Sequence, residues 1–158
     1  MIFVTVGSQK FQFNRLLKKI DDLIDQQIIT EEVFAQAGAS DYVPKNYGYI
    51  GFMSSEEFEK RENEADLIIT HGGVGAIIGA LRKGRRVIAV PRMKKYGEHV
   101  DDHQIQLITA FDDMKMIKGC LNLDELGKIY ADIYTLELME YQPNTVRIIE
   151  SIEKFLNE

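Results

Sequence analysis

Apolar positions in this chain follow two rhythms: short, nearly solid runs, and longer stretches with an apolar residue every three or four places. Ile2 to Val6 is a run of the first kind, closed by Gly7-Ser8, and predicts a strand buried on both faces. Phe13, Leu16, Leu17, Ile20, Leu23 and Ile24 then fall on one face of a helix. Glu31 to Ala37 and Tyr47 to Phe52 predict a second and a third strand, the latter after the turn Pro44-Lys-Asn46. Ser54-Ser-Glu-Glu57 is a capping-box pattern that opens a short charged helix. Leu67 to Thr70 predicts the fourth strand. The helix after it begins at about Val74 and stops at Lys83-Gly84, a basic residue followed by a glycine cap.

Val87 to Val90 predicts a fifth strand, ended by Pro91 and followed by a polar loop from Arg92 to Asp101. Asp102 is placed to cap a helix running to Phe111, and Met114 to Ile117 predicts a sixth strand. Asn122-Leu-Asp-Glu125 caps another helix. A final one, at about 144–156, carries Val146, Ile148, Ile149, Ile152, Phe155 and Leu156 as a broad stripe expected to pack on its own sheet. Strands alternating with helices imply an α/β fold: a single Rossmann-like domain over 1–158, with a mainly parallel sheet and helices on both faces. Such sheets bind ligands beyond the C-terminal ends of their strands, where Gly7, the turn after the fourth strand and the Pro91 loop all fall.

Composition narrows the classes without choosing one. A chain of 158 residues with 45% apolar and 28% charged residues is ordinary for a globular protein. The net charge of −6 argues against a general nucleic-acid binder, which would carry a basic face. A single cysteine, Cys120, excludes an internal disulfide, cannot build a zinc site by itself and fits a reducing cytoplasm, with packing as its expected role. The start Met-Ile-Phe-Val-Thr-Val is not expected to act as a signal peptide, and no window reaches the roughly 18 to 20 apolar residues of a membrane span.

Chemistry concentrates in Thr70-His-Gly-Gly-Val-Gly75. A glycine-rich turn between a strand and a helix aims free backbone N–H groups and the positive end of the helix dipole at one point, which suits a diphosphate. Gly73-Val-Gly75-Ala-Ile-Ile-Gly79 also has the spacing of a dinucleotide fingerprint, with Arg92 after the next strand as an NADP partner; a turn without any ligand is the third reading. In the Pro91 loop, Arg92, Lys94 and Lys95 are candidates to neutralise phosphate, although a solvated loop explains the two lysines equally well. Asp102 and Gln104 at the next helix start are candidates for sugar hydroxyls. His99 and His103 lie four apart but lack the helical register of a zinc motif, and no Asp-x-Asp triplet occurs, so no metal or other cofactor is expected.

Three pieces in order, Phe3-Val-Thr-Val-Gly7, Thr70-His-Gly-Gly-Val-Gly75 and Asp102-His-Gln104, resemble the Alg13-like and PssE-like small subunits of split GT-B glycosyltransferases. They are similar, too, to the MurG-like family 28 C-terminal domain. The resemblance runs through about the first 110 residues. It implies the C-terminal half of a GT-B fold and a glycosyltransferase subunit active only with a partner chain. The resemblance puts the diphosphate of a UDP-sugar on His71, Gly72, Gly73, Val74 and Gly75 and its sugar on Asp102 and Gln104; Gly7, Ser8, Thr70 and Arg92 join the candidate site by their positions beside these elements. The partner implied is a membrane-associated, Alg14-like or PssD-like acceptor-binding subunit that recruits this chain to the cytoplasmic face of the membrane. There an inverting transfer to a lipid-linked saccharide, in surface or exopolysaccharide synthesis, takes place. The general base is expected on that partner, so no catalytic residue is assigned in this chain, although Glu98 and His99 are within the expected reach of the cleft. The terminal helix would help in docking. Relatives place a glutamate eight residues after the histidine to grip the ribose; Gly79 stands there, so ribose contacts are expected to come from elsewhere. A non-catalytic enhancer of a glycosyltransferase and an NADP-binding oxidoreductase module are the alternative functions.

Overall fold

The computed structural model of the protein describes residues 1–141 and 143–156. In chain order it holds β1 (Ile2–Thr5), α1 (Asn14–Asp25), β2 (Val33–Gln36), β3 (Gly48–Ile50), α2 (Ser55–Glu64), β4 (Leu67–His71) and α3 (Val74–Arg82). β5 (Arg86–Val90), α4 (His103–Asp113), β6 (Lys118–Gly119), α5 (Leu126–Ile133) and α6 (Pro143–Leu156) follow. The six strands form one sheet in the order β3-β2-β1-β4-β5-β6, and every pairing is parallel. This is the doubly wound order of the Rossmann fold, whose ligand crevice lies where the winding reverses, beside β1 and β4.

The two faces of the sheet bury alternate residues of the same strands, as the period of two requires. Ile2, Val4, Leu67, Ile69, Ile88 and Val90 meet α1 and α5, through Leu16, Leu17, Ile20, Leu126 and Ile133. Phe3, Ile68, Val87 and Ala89 point the other way, to Ile77 and Ile78 of α3, Leu107, Ile108 and Phe111 of α4, and Ile149 of α6. Ile149 is the one described member of the predicted terminal stripe; the side chains of Val146, Ile148, Ile152, Phe155 and Leu156 lie outside the described residues.

Local signals hold where they rest on hydrogen bonds close in sequence. Ser54 caps α2 by accepting from the Glu57 amide at 3.1 Å, an interaction worth about 1 kcal/mol. Asn122 likewise accepts from the Asp124 amide at 3.0 Å and starts the turn that leads into α5. The expected sixth strand is displaced. Met114 caps α4, Lys115 adopts a left-handed φ of 57°, and pairing begins only at Lys118. Met116 and Ile117 are apolar because they are buried beneath the turn, which a run of hydrophobic residues cannot distinguish from a strand.

Candidate functional site

A cleft of about 720 Å³ opens at the C-terminal ends of β1, β2 and β4. It is lined by Gly7, Ser8, His71, Gly73, Gly75 and Ala76, and from the segment after β3 by Phe52, Met53 and Phe58. The turn after β1 reaches it through Gly7, whose φ of +81° favours glycine. Gln36, at the end of β2, ties this rim together: its Nε2 donates to the carbonyls of Gly7 at 3.1 Å and Gly51 at 2.8 Å. A glutamine at the end of the apolar strand Val33-Phe-Ala-Gln36 was the visible signal for that role.

His71 is the last residue of β4 and is 8% exposed. Its ring lies between two glycines: a Cβ on Gly7 would stand 2.6 Å from Nε2, and one on Gly73 would stand 2.3 Å from Cε1. Nδ1 accepts the Gly73 N–H at 3.1 Å, so the proton of the neutral ring sits on Nε2. Burial, reinforced by the positive charge of Arg92 and by His99, pushes the pKa of His71 down to about 3. The side chain therefore offers the cleft a neutral N–H donor.

The glycine turn divides its amides. Gly72 donates to Gln104 Oε1 at 3.1 Å and Gly73 donates to His71, so neither N–H is free for a ligand. Val74, Gly75 and Ala76 form the first turn of α3, ahead of the first carbonyl-bonded amide, that of Ile77, and have no acceptor within the helix. A Cβ on Gly75 would meet nothing within 4 Å, so here an anion can approach the main chain. Gly72 and Gly73 have a different reason to be glycine: the space beside each backbone is filled by Gln104 and His71.

Several predicted contacts do not converge on this cleft. Arg92 is 1% exposed, and its guanidinium donates to the carbonyls of Val6, Phe11, Gln12 and Glu98, so it is a fastener for loops and does not face a phosphate. Burial lowers its pKa to about 10, still far above neutrality. Gln104 is buried, and its Oε1 accepts from both Gly72 N and Arg92 N, at 3.1 and 2.9 Å; it braces the turn from behind. Asp102 is exposed and accepts the Lys94 N–H at 2.8 Å, and the first helical amide, that of His103, bonds to Asp101 instead. Thr70 is fully buried within β4.

The Pro91 loop turns towards α1, where Glu98 accepts from Arg15 at 3.0 and 3.1 Å and from the Met93 amide at 3.0 Å. Glu98 is thus held away from the cleft. Lys95, with Arg15, Lys18 and Asp124, lines a separate hollow of about 620 Å³. His99 and His103 both approach Asp101, at 3.3 and 3.6 Å, and no group of three or more potential metal ligands is gathered among the described residues. Cys120 is buried, which pushes its thiol pKa up to about 11. Glu62 is a lining residue with no local sequence signal: a buried carboxylate on α2, it bonds Lys83 at 2.8 Å.

Comparison with known proteins gives one family. Residues 1–156 match the glycosyltransferase family 28 C-terminal domain. The chain is 34% identical over 68 residues to the UDP-N-acetylglucosamine transferase subunit ALG13 of Kluyveromyces lactis; the match covers 42% of this chain and 32% of that relative's length. Among solved structures, the solution structure of ALG13 is similar with a TM-score of 0.60 at 18% identity, over 94% of each chain. MurG of Acinetobacter baumannii is similar with a TM-score of 0.60 at 20% identity, over 96% of this chain and 49% of MurG. At these identities the two structures speak for the fold.

Proposed function

This chain belongs to the glycosyltransferase family 28 C-terminal domains, and from that membership we propose that it is the donor-binding subunit of a two-component, inverting glycosyltransferase. The donor is a UDP-sugar. The observation that carries the reading is the pairing, in one cleft, of the open amides of Gly75 and Ala76 with the neutral Nε2–H of His71, while Val74 is turned into the core. The diphosphate sits at this helix N-terminus, where the dipole favours negative charge. The exposed ring of Phe52, with Met53 and Phe58, supplies an apolar wall for the base. Gly7 and Ser8 close the rim.

The chemistry required of these groups is stabilisation of the leaving group. Negative charge grows on the departing UDP as the glycosidic bond breaks, and fixed N–H donors bind that charge more tightly than the ground state. Loss of one such donor costs about 3 kcal/mol of barrier in comparable oxyanion sites. A neutral imidazole keeps its donor in place throughout the physiological pH range. The base that deprotonates the acceptor belongs to the partner, an Alg14-like or PssD-like subunit at the inner face of the membrane. The acceptor is a lipid-linked saccharide, and the product serves surface or exopolysaccharide synthesis. The subunit arrangement and the UDP-sugar are supported by the name of the Kluyveromyces relative. Among the described residues no helix is long and apolar enough to cross a membrane, in keeping with membrane contact through the partner. The NADP reading loses its basis, because the arginine it needs is buried against carbonyls.

Calorimetric titration of UDP, UDP-sugars and NADPH against the wild-type chain and His71→Ala tests this reading. UDP binds the wild type and is at least tenfold weaker in the variant. NADPH binding in its place overturns the proposal, and absence of nucleotide binding even with the partner present leaves the enhancer reading.

A further inference from the structure

Leaving-group stabilisation leaves two carboxylates of the cleft unused: Glu59, which is exposed and 3.8 Å from Lys83, and Glu62, which is buried. Glu62 stands four residues after Phe58 on α2, and so on the same helix face, which Phe58 turns towards Phe3 of the sheet with ring centroids 5.2 Å apart. Its side chain is 6% exposed and lines the cleft together with Lys83. Oε1 accepts from Lys83 Nζ at 2.8 Å, while no donor among the described residues bonds Oε2. Oε2 lies against α3, 3.7 Å from the place a Cβ on Gly79 would occupy. Gly79 follows Gly75 by about one helical turn, roughly 6 Å along the axis. An acceptor without a protein partner therefore stands one turn along from the open amides, in the same cleft.

We propose that Glu62 recognises the sugar ring next to the diphosphate: the vicinal 2′- and 3′-hydroxyls of a ribonucleoside diphosphate donate to Oε2 while Lys83 holds the carboxylate in place. Oε1 is held by the ion pair with Lys83, while Oε2 is not sealed off and stays open at the cleft to the donors of a ligand. Hydroxyl donors suit it, because an ionised carboxylate accepts and never donates. The bare backbone of Gly79 keeps the gap open; a long side chain there would fill it. The assignment rests on the diphosphate site proposed above and adds to it the preference for ribose.

The test is a titration of inorganic pyrophosphate, UDP and 2′,3′-dideoxy-UDP against wild type, Glu62→Gln, Glu62→Ala and the double variant Glu62→Ala/Gly79→Glu, with thermal melts confirming the fold. Wild type prefers UDP over the dideoxy analogue by about tenfold or more, as expected for hydrogen bonds to a charged acceptor. In Glu62→Ala the two bind alike and pyrophosphate binding is unchanged; Glu62→Gln shrinks the preference, and the double variant regains part of it. If wild type binds pyrophosphate but shows no ribose preference, or if the preference survives in Glu62→Ala, the assignment fails and the diphosphate site stands. A parallel loss of all three ligands in Glu62→Ala marks the ion pair as purely structural and also overturns it. If wild type binds neither pyrophosphate nor UDP, both readings fail.

Discussion

His71 and Gly73 are packed so closely that the ring occupies the place where a side chain on residue 73 would begin, 2.3 Å from Cε1. Gly73 has φ −75° and ψ 126°, a conformation open to any residue, so the glycine is required by the neighbour and not by the backbone. Gly73→Ala should therefore displace the imidazole with no cost from the dihedral angles. The expected result is a loss of about 1 to 3 kcal/mol of stability, typical of overpacking, and UDP binding weakened at least tenfold; denaturant titration and calorimetry read the two effects.

The depressed pKa of His71 sets a pH dependence. From its ordinary 6.5, the group is held down to about 3 in the folded chain, so between these values the unfolded chain binds more protons. Its contribution to stability is intact above pH 6.5 and declines as the pH falls through that window, by about 2 kcal/mol at pH 5. Urea unfolding of wild type and His71→Gln at pH 7.5 and 5 should show a steeper acid loss for the wild type.

Gln104 joins two loops through a single oxygen, which accepts from Gly72 and from Arg92. Gln104→Ala strands two buried amides, each worth about 1 to 3 kcal/mol, and loosens the turn that carries His71. Both melting temperature and UDP affinity should fall.

Arg15 and Glu98 form a two-point ion pair in which the Glu98 side chain is 1% exposed. Arg15→Met removes two charge-assisted hydrogen bonds from a buried carboxylate that keeps the Met93 amide and the nearby Arg92 charge, and should destabilise the chain by about 2 to 3 kcal/mol. UDP affinity, measured where the variant is still folded, should change little because neither residue lines the cleft. A large loss of affinity with unchanged stability would contradict this placement of the loop.

The alternation of strands and helices was legible because each element carries its own periodicity, and the glycine turn because its residues are adjacent. Long-range pairing was not. Arg92 is followed by lysines in a polar loop and so suggests a solvated or phosphate-facing cation, yet its partners are carbonyls up to 86 residues away. Asp102 reads as a helix cap, but Asp101 bonds the first helical amide and Asp102 closes the loop at Lys94. Glu62 carries no local mark at all in Glu-Glu-Phe-Glu-Lys-Arg-Glu. Only the packing of Phe58 on Phe3 shows which of its glutamates turns inward.

The guanidinium of Arg92 has a consequence for watching the cleft at work. β1 and β5 are separated by β4 and never pair, yet this one side chain bolts the backbone at Val6, Phe11 and Gln12 to the tip of β5. Any displacement of the turn after β1 should therefore be felt at Arg92 and in the segment that follows it. Because Met93 to Glu98 do not line the cleft, their backbone resonances are expected to shift with occupancy of it.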